Sequence, residues 1–207
     1  MAPTLSDFLG ADSFATCSPG NIEKYFIRNH LDDAQGKFYF EAGAVNGFHL
    51  SQTATLERQH GWGGILVEAH SGFFPLLQKG RPANSCVHAC LGDGHPGFFE
   101  EKSEGLLGHS QKRGRRINDE CIPVETKSIN DVLEEHQAPR VIDYMVLDVE
   151  HSFLEVWQGL DLKQWHVNFM AIEMKGAPSM EIIRAMDDQG MDLVQVLGSE
   201  DFIFSQR

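Results

Sequence analysis

Residues 37–57 read KFYFEAGAVNGFHLSQTATLE. The segment opens on a short aromatic run, breaks at Gly43, breaks again at Gly47, and then turns weakly helical until Gly61. A buried strand, a glycine turn and a helix in that order begin a βαβ unit. Such a turn lets backbone approach a ligand with no Cβ in the way. It is not the dinucleotide fingerprint, because G-x-G-x-x-G is absent, and the chain has no Walker A sequence.

The same alternation extends in both directions. Upstream, residues 1–20 are turn-rich, and NIEKYFIRNHLDD (21–33) puts Ile22, Tyr25, Phe26 and, less neatly, His30 on one helical face. Downstream, GILVEA (64–69) reads as a second buried strand and SGFFPLLQKG (71–80) as a helix with Pro75 in its first turn or limiting it to about two turns. SCVHACLG (85–92) reads as one third strand. Residues 93–120 are Gly-rich, charged and poorly periodic, the marks of a substrate loop or lid. CIPVE (121–125) is a short strand, and Ser128 caps a helix whose apolar face is Ile129, Val132 and Leu133. IDYMVLDVE (142–150) is another buried strand. Ser152 and Glu155 then form an S-x-x-E capping box before Phe153, Val156, Trp157 and Leu160. NFMAIEM (168–174) is a strand, SMEIIRAMDDQ (179–189) a helix, and Gly190 its stop. MDLVQVLG and DFIFSQ close the chain as two strands whose short connection makes them antiparallel. Alternating helices and continuously apolar strands predict an α/β fold, a mostly parallel sheet covered on both faces. The domain expected is 37–207, preceded by an N-terminal edge or helical segment, 1–36.

Composition narrows the partners. The 207 residues are 42% hydrophobic and 23% charged, with a net charge of −13. A field of that sign repels phosphate backbones and argues against nucleic acid. The basic run Gln111–Arg116 reads as a solvated loop, or as a local clamp for an acidic substrate. No apolar stretch approaches a membrane span, and the first residues lack a signal-peptide pattern. The four cysteines, Cys17, Cys86, Cys90 and Cys121, form no C-x-x-C pair, which fits a reducing, cytoplasmic setting. Cys86, His88 and Cys90 share a strand face by alternation, but no fourth ligand stands at zinc spacing, so no metal is assigned to them.

Ligands of open α/β sheets bind beyond the carboxyl ends of the strands. Those ends here carry Glu41, Glu68, Asp93, Asp148 with Glu150, and Glu173. Like charges repel, so such a row calls for a polar or cationic ligand. Glu68 ends the second strand roughly twenty residues after the glycine turn, where a carboxylate takes both hydroxyls of a ribose. A nucleoside with a cationic tail and no phosphate fits, and S-adenosyl-L-methionine (SAM) is such a molecule.

FEAGAVNGFHLSQTATLERQHGWGGILVEAH resembles the opening of the FkbM-type methyltransferases: an acidic residue, x-G-A-x-x-G, a Ser-x-Thr helix, L-E, then G-W-x-G-I-x-x-E. IPVETKSINDVLEEH and IDYMVLDVEHSFLEVWQGLDL are similar to two later blocks of that family. The resemblance implies a Rossmann-like class I methyltransferase fold, seven strands with the last antiparallel and helices on both faces. It implies that Gly43, Ala44, Gly47 and Ser51 lie along the methionine part of SAM. Glu41 would orient that turn or the ammonium, Glu68 would hold the ribose, Ala69 and His70 would flank adenine, and Asp93 would reach the adenine amino group. Asp148 and Glu150 would face the methyl group and the acceptor. His151 stands where the family has Gly.

The chemistry expected is SAM-dependent methyl transfer to a hydroxyl of a small metabolite or sugar, with Asp148, Glu150, His151 and Glu173 as candidate bases. A divalent cation on the Asp148–Glu150 pair is a minor option. Transfer to a peptide or protein nitrogen, and a non-catalytic SAM-fold binding protein, remain as alternatives. The sequence leaves the oligomeric state open, a homodimer included.

Overall fold

The computed structural model of the chain describes residues 22–31, 36–94, 98–101, 108–111, 121–122, 126–149, 152–174, 179–197 and 200–207. Seven strands form the main sheet: β1 Phe38–Ala42, β2 Gly63–Glu68, β3 Ser85–His88, β9 Val141–Leu147, β10 His166–Glu173, β11 Met191–Leu197 and β12 Asp201–Gln206. Their spatial order is β11-β12-β10-β9-β1-β2-β3. β1 pairs in parallel with β2 and β9, and β9 with β10, while β12 runs antiparallel to both β10 and β11. The expected mostly parallel sheet with an antiparallel end is therefore present. The chain moves outward from β1 to β3, then returns to place β9 on the other flank of β1. That reversal opens a crevice between the β1 and β9 ends.

Helices cover both faces. α1 Ile22–Asn29, α2 Ala54–His60 and α3 Phe74–Gly80 meet Tyr39, Leu66, Tyr144 and Ile203 on one side. α4 Ile129–Glu135, α5 Phe153–Gln158 and α6 Ser179–Asp188 meet Phe40, Ile65, Met145 and Ile172 on the other. Strand alternation sorts these sets: Tyr39 and Glu41 point to the α1–α3 face, Phe40 and Ala42 to the opposite one. α1 is seated by Ile22 and Phe26, both 1% exposed, with Phe26 stacked on Tyr144 at 4.1 Å between ring centroids. Each contributes about 2 kcal/mol by burial.

Local differences from the sequence reading have physical causes. The third strand is not continuous. β2 ends at Glu68, opposite His88, so the chain has no further partner there. Cys90–Leu91 (β4) instead pairs with Thr126–Lys127 (β8). Cys86 and His88 thus belong to β3 and Cys90 to a separate sheet, which breaks the shared strand face expected of the three. The stretch 93–120 is not without structure. Phe98–Glu101 (β5) pairs antiparallel with Gly108–Gln111 (β6) and with Cys121–Ile122 (β7). The remainder of the basic run, 112–116, and residues 1–20 lie outside the described residues.

The two expected caps behave differently. At α4 the Ser128 hydroxyl accepts from the Asp131 amide at 3.0 Å and the Asp131 carboxylate accepts from the Ser128 amide at 3.1 Å, a full capping box. At α5 the Ser152 side chain makes no capping bond. Its backbone, at φ −93° and ψ 6°, lacks the extended shape that turns a cap side chain onto the helix end. Gly61 and Gly190 do end their helices in the left-handed region, at φ +67° and +86°.

Candidate active site

The glycine turn folds over the edge of the sheet beside the crevice. Gly43 and Ala44 donate their amides to the Val67 carbonyl at 3.1 and 3.2 Å, and Gly47 donates to Ala44 at 2.8 Å. Gly43 and Gly47 both sit at φ +82°, and Val45 between them at φ +51°. A Cβ on Gly43 would lie 2.2 Å from the Asp148 carbonyl oxygen, so the β1 and β9 ends touch there. A Cβ on Gly47 would lie 2.6 Å from Cγ of Arg81 and 2.9 Å from Leu77. Both glycines are thus demanded by close packing within the protein as well as by φ. The space they open is filled by the chain itself, and a ligand would meet their backbone.

Glu68 ties this turn to the next strand. One carboxylate oxygen accepts the Val45 amide at 2.7 Å and the other the His70 amide at 2.7 Å. The side chain is 6% exposed and stands between the loops that follow β1 and β2. The Cys90 thiol is pushed up to about 12, chiefly by its own burial and to a lesser extent by the Glu68 charge. Across the sheet, register aligns Ala42 with Val67 and Leu147, and Ile172 with Leu147. One residue further, Glu68, Gly43, Asp148 and Glu173 stand level across four strands, a row roughly 14 Å long at ordinary strand spacing. Asp201 extends the row, because it pairs with Glu173. It opens its strand, so a reading of strand ends does not find it.

Glu41 lies under the row rather than on it. It is 1% exposed and accepts the Ser51 hydroxyl at 2.9 Å, the Gln52 amide at 2.7 Å and the Thr53 hydroxyl. These bonds explain why α2 begins at Ala54 and not at Ser51. Glu23 of α1, fully buried, reaches the same helix end and accepts from the Thr55 amide at 2.8 Å and the Thr55 hydroxyl at 2.9 Å. Burial is the chief reason its carboxyl is raised to about 7. In a dinucleotide site the first helix offers its N-terminal amides to a pyrophosphate. Here Glu23 already takes the Thr55 amide in the first turn of α2, and Glu41 takes the Gln52 amide just before it.

Arg81, 1% exposed at the end of α3, completes the network and is not marked by any sequence motif. It donates to the Gly47 carbonyl and the Tyr39 hydroxyl, each at 2.8 Å, and to Ser51 Oγ at 3.3 Å and Thr53 Oγ1 at 3.2 Å. Its Nε pairs with Glu57.

The other expected residues take definite places. Ala69 and His70 follow Glu68. His70 Nδ1 accepts the Gly72 amide at 3.0 Å, its ring lies 4.5 Å from that of Phe73, and His88 Nε2 is 3.1 Å from the Ala69 carbonyl. Asp93 is exposed just beyond β4. Asp148 and Glu173 are half-buried at adjoining strand ends. Glu150 and His151 lie outside the described residues. No group of three His, Cys, Asp or Glu side chains suited to a metal occurs among the described residues. Nor is any described helix long and apolar enough to cross a membrane.

Residues 41–194 match the methyltransferase FkbM domain. No curated protein matches with significance. Among solved structures, the METTL16 MTase domain aligns with a TM-score of 0.51 at 13% identity, covering 89% of this chain and 66% of that one. The chain therefore spans about two thirds of that domain. The N-terminal domain of human METTL16 in complex with SAH gives 0.51 at 12% identity, covering 99% and 72%. Precorrin-6y C5,15-methyltransferase from Geobacter metallireducens GS-15 gives 0.52 at 8% identity, covering 90% and 88%. At such identities the likeness is one of fold, the Rossmann-like fold of class I methyltransferases. The family match is broader in meaning: it runs from Glu41 at the end of β1 to Val194 in β11 and takes in every strand end that borders the crevice. The chain belongs to the FkbM family of SAM-dependent methyltransferases.

Proposed function

We propose that this methyltransferase acts on a hydroxyl of a small metabolite or sugar, with SAM held across the β1, β2 and β9 ends. The observation that carries the reading is Glu68, a buried carboxylate fixed by two amides at the crevice. A carboxylate oxygen can accept more than one hydrogen bond, which suits the paired hydroxyls of a ribose. The Thr55 amide in the first turn of α2, already taken by Glu23, suits a cofactor with no phosphate. The backbone of Gly43, Ala44 and Gly47, with Ser51 behind it, is assigned to the methionine portion, and Ala69 and His70 to adenine. Asp93 is assigned to the adenine amino group.

When bound, SAM supplies an electrophilic methyl whose leaving group is a neutral thioether, so the protein needs no acid for departure. What remains is alignment of the acceptor and removal of its proton. Asp148 and Glu173, level with Gly43 at the crevice, are the described groups suited to that base role. Glu150 and His151 follow Asp148 in sequence and share the assignment. A hydroxyl keeps its proton at neutral pH and calls for such a base. The net charge of −13 favours a small or peptide acceptor over nucleic acid. Nitrogen transfer to a peptide is the second reading.

The test incubates the protein with methyl-labelled SAM and a metabolite pool and follows the label by mass spectrometry and carbon NMR. A labelled product whose methyl carbon resonates as an ether supports the reading. An N-methyl resonance moves the assignment to the second reading, and absence of any labelled product with wild-type protein that binds SAM points to a non-catalytic role.

A further inference from the structure

We propose that Arg81 is a positioning residue for methyl transfer, setting the shape of the turn that receives the methionine half of SAM. The inference rests on the SAM site assigned above.

A fully buried arginine is costly unless its donors are met. Here they are met, and three of the partners, Gly47, Ser51 and Thr53, belong to one segment of chain. Nη1 donates to the Gly47 carbonyl and to Ser51, and Nη2 to Thr53 and to Tyr39, while Nε faces Glu57. Gly47, Ser51 and Thr53 are 34, 30 and 28 residues away in sequence. The guanidinium thus pins the far side of the glycine turn, as Glu68 pins the near side through Val45. Ser51 and Thr53 also donate to Glu41. They are held between a buried cation and a buried anion, which fixes their hydroxyl directions. Gly47 packs on the arginine stem so closely that a Cβ would not fit. A planar fork spans these several acceptors at once, and an ammonium cannot.

Position separates this role from plain stability. Arg81 contacts the Gly47–Thr53 side of the loop, whereas the ribose is assigned to Glu68. A disturbed Arg81 should therefore weaken ligands that carry the methionine tail and spare those that lack it. Calorimetry on Arg81→Lys with S-adenosylhomocysteine and with adenosine reads this directly. Expected are a loss of tenfold or more for S-adenosylhomocysteine and a change under threefold for adenosine. Equal losses for both ligands, or none, overturn the proposal. Should Arg81→Lys not fold, Glu57→Gln replaces it. That variant keeps an acceptor for Nε and removes the charge, with the same selective loss expected at threefold or more. Lys79→Ala, exposed near the end of α3, is the control and should bind both ligands as wild type does. If wild-type protein binds neither ligand, the SAM site itself is misassigned, a result distinct from failure of the Arg81 role.

Discussion

The Val45 amide donates to the Glu68 carboxylate at 2.7 Å while Val45 sits at φ +51°, a region β-branched residues avoid. The bond crosses from the loop after β1 to the end of β2. It holds a strained backbone at the crevice where the cofactor is assigned. Asparagine tolerates this conformation through its short polar side chain. Val45→Asn should therefore raise stability by about 1 kcal/mol, read from the urea midpoint at constant slope. A lowered midpoint would show that the valine is not strained in this turn.

The glycines of the chain offer a graded test of packing against conformation. Gly36, at φ +75°, has nothing within 4 Å of the point a Cβ would occupy, so Gly36→Ala should cost about 1 kcal/mol, the left-handed penalty alone. Gly47→Ala adds contacts at 2.6 and 2.9 Å with the buried side chains of Arg81 and Leu77 and should cost about 2–4 kcal/mol. Gly43→Ala meets the Asp148 backbone at 2.2 Å and should cost most. Urea unfolding of the three variants gives the order, and equal losses would contradict the tight β1–β9 contact.

Glu23 predicts a pH dependence of stability. Burial, first among its causes, raises its folded pKa to about 7, against 4.5 for an ordinary Glu. The protonated form is thus the one the fold favours. Its contribution is fully present below pH 4.5 and is lost as pH rises through about 7. Histidines such as His30 and His49, whose pKa values burial lowers, act in the opposite sense, so the comparison must be with a variant. Wild type minus Glu23→Gln should fall by about 3 kcal/mol between roughly pH 4.5 and 8. Parallel curves would show that Glu23 is not buried against α2.

The sheet was legible because its strands are continuous apolar runs, and the row Glu68, Asp148 and Glu173 followed from reading their ends. What escaped was the support beneath the row. Glu23 occurs in ordinary helical sequence and Arg81 between Gly80 and Pro82, where a charge reads as solvent-facing. Their burial depends on Thr55, Tyr39 and Glu57, which the fold brings in from 24 to 42 residues away. The same long-range logic defeated two local readings. Glu41 delays the start of α2, and the end of β2 at Glu68 cuts the third strand at His88. Ser152 had the right neighbours in sequence for a capping box but not the backbone to form it.

The central claim is that Glu68 marks the ribose position of a phosphate-free cofactor. Titration calorimetry of S-adenosylhomocysteine against wild type and Glu68→Ala tests it most directly, with NAD as the phosphate-bearing comparison. Two lost hydrogen bonds to a charged acceptor are worth about 3 kcal/mol together, so the variant should bind at least roughly a hundredfold more weakly. NAD should not bind either protein. Equal affinity of wild type and Glu68→Ala for S-adenosylhomocysteine, or tight binding of NAD, would contradict the account.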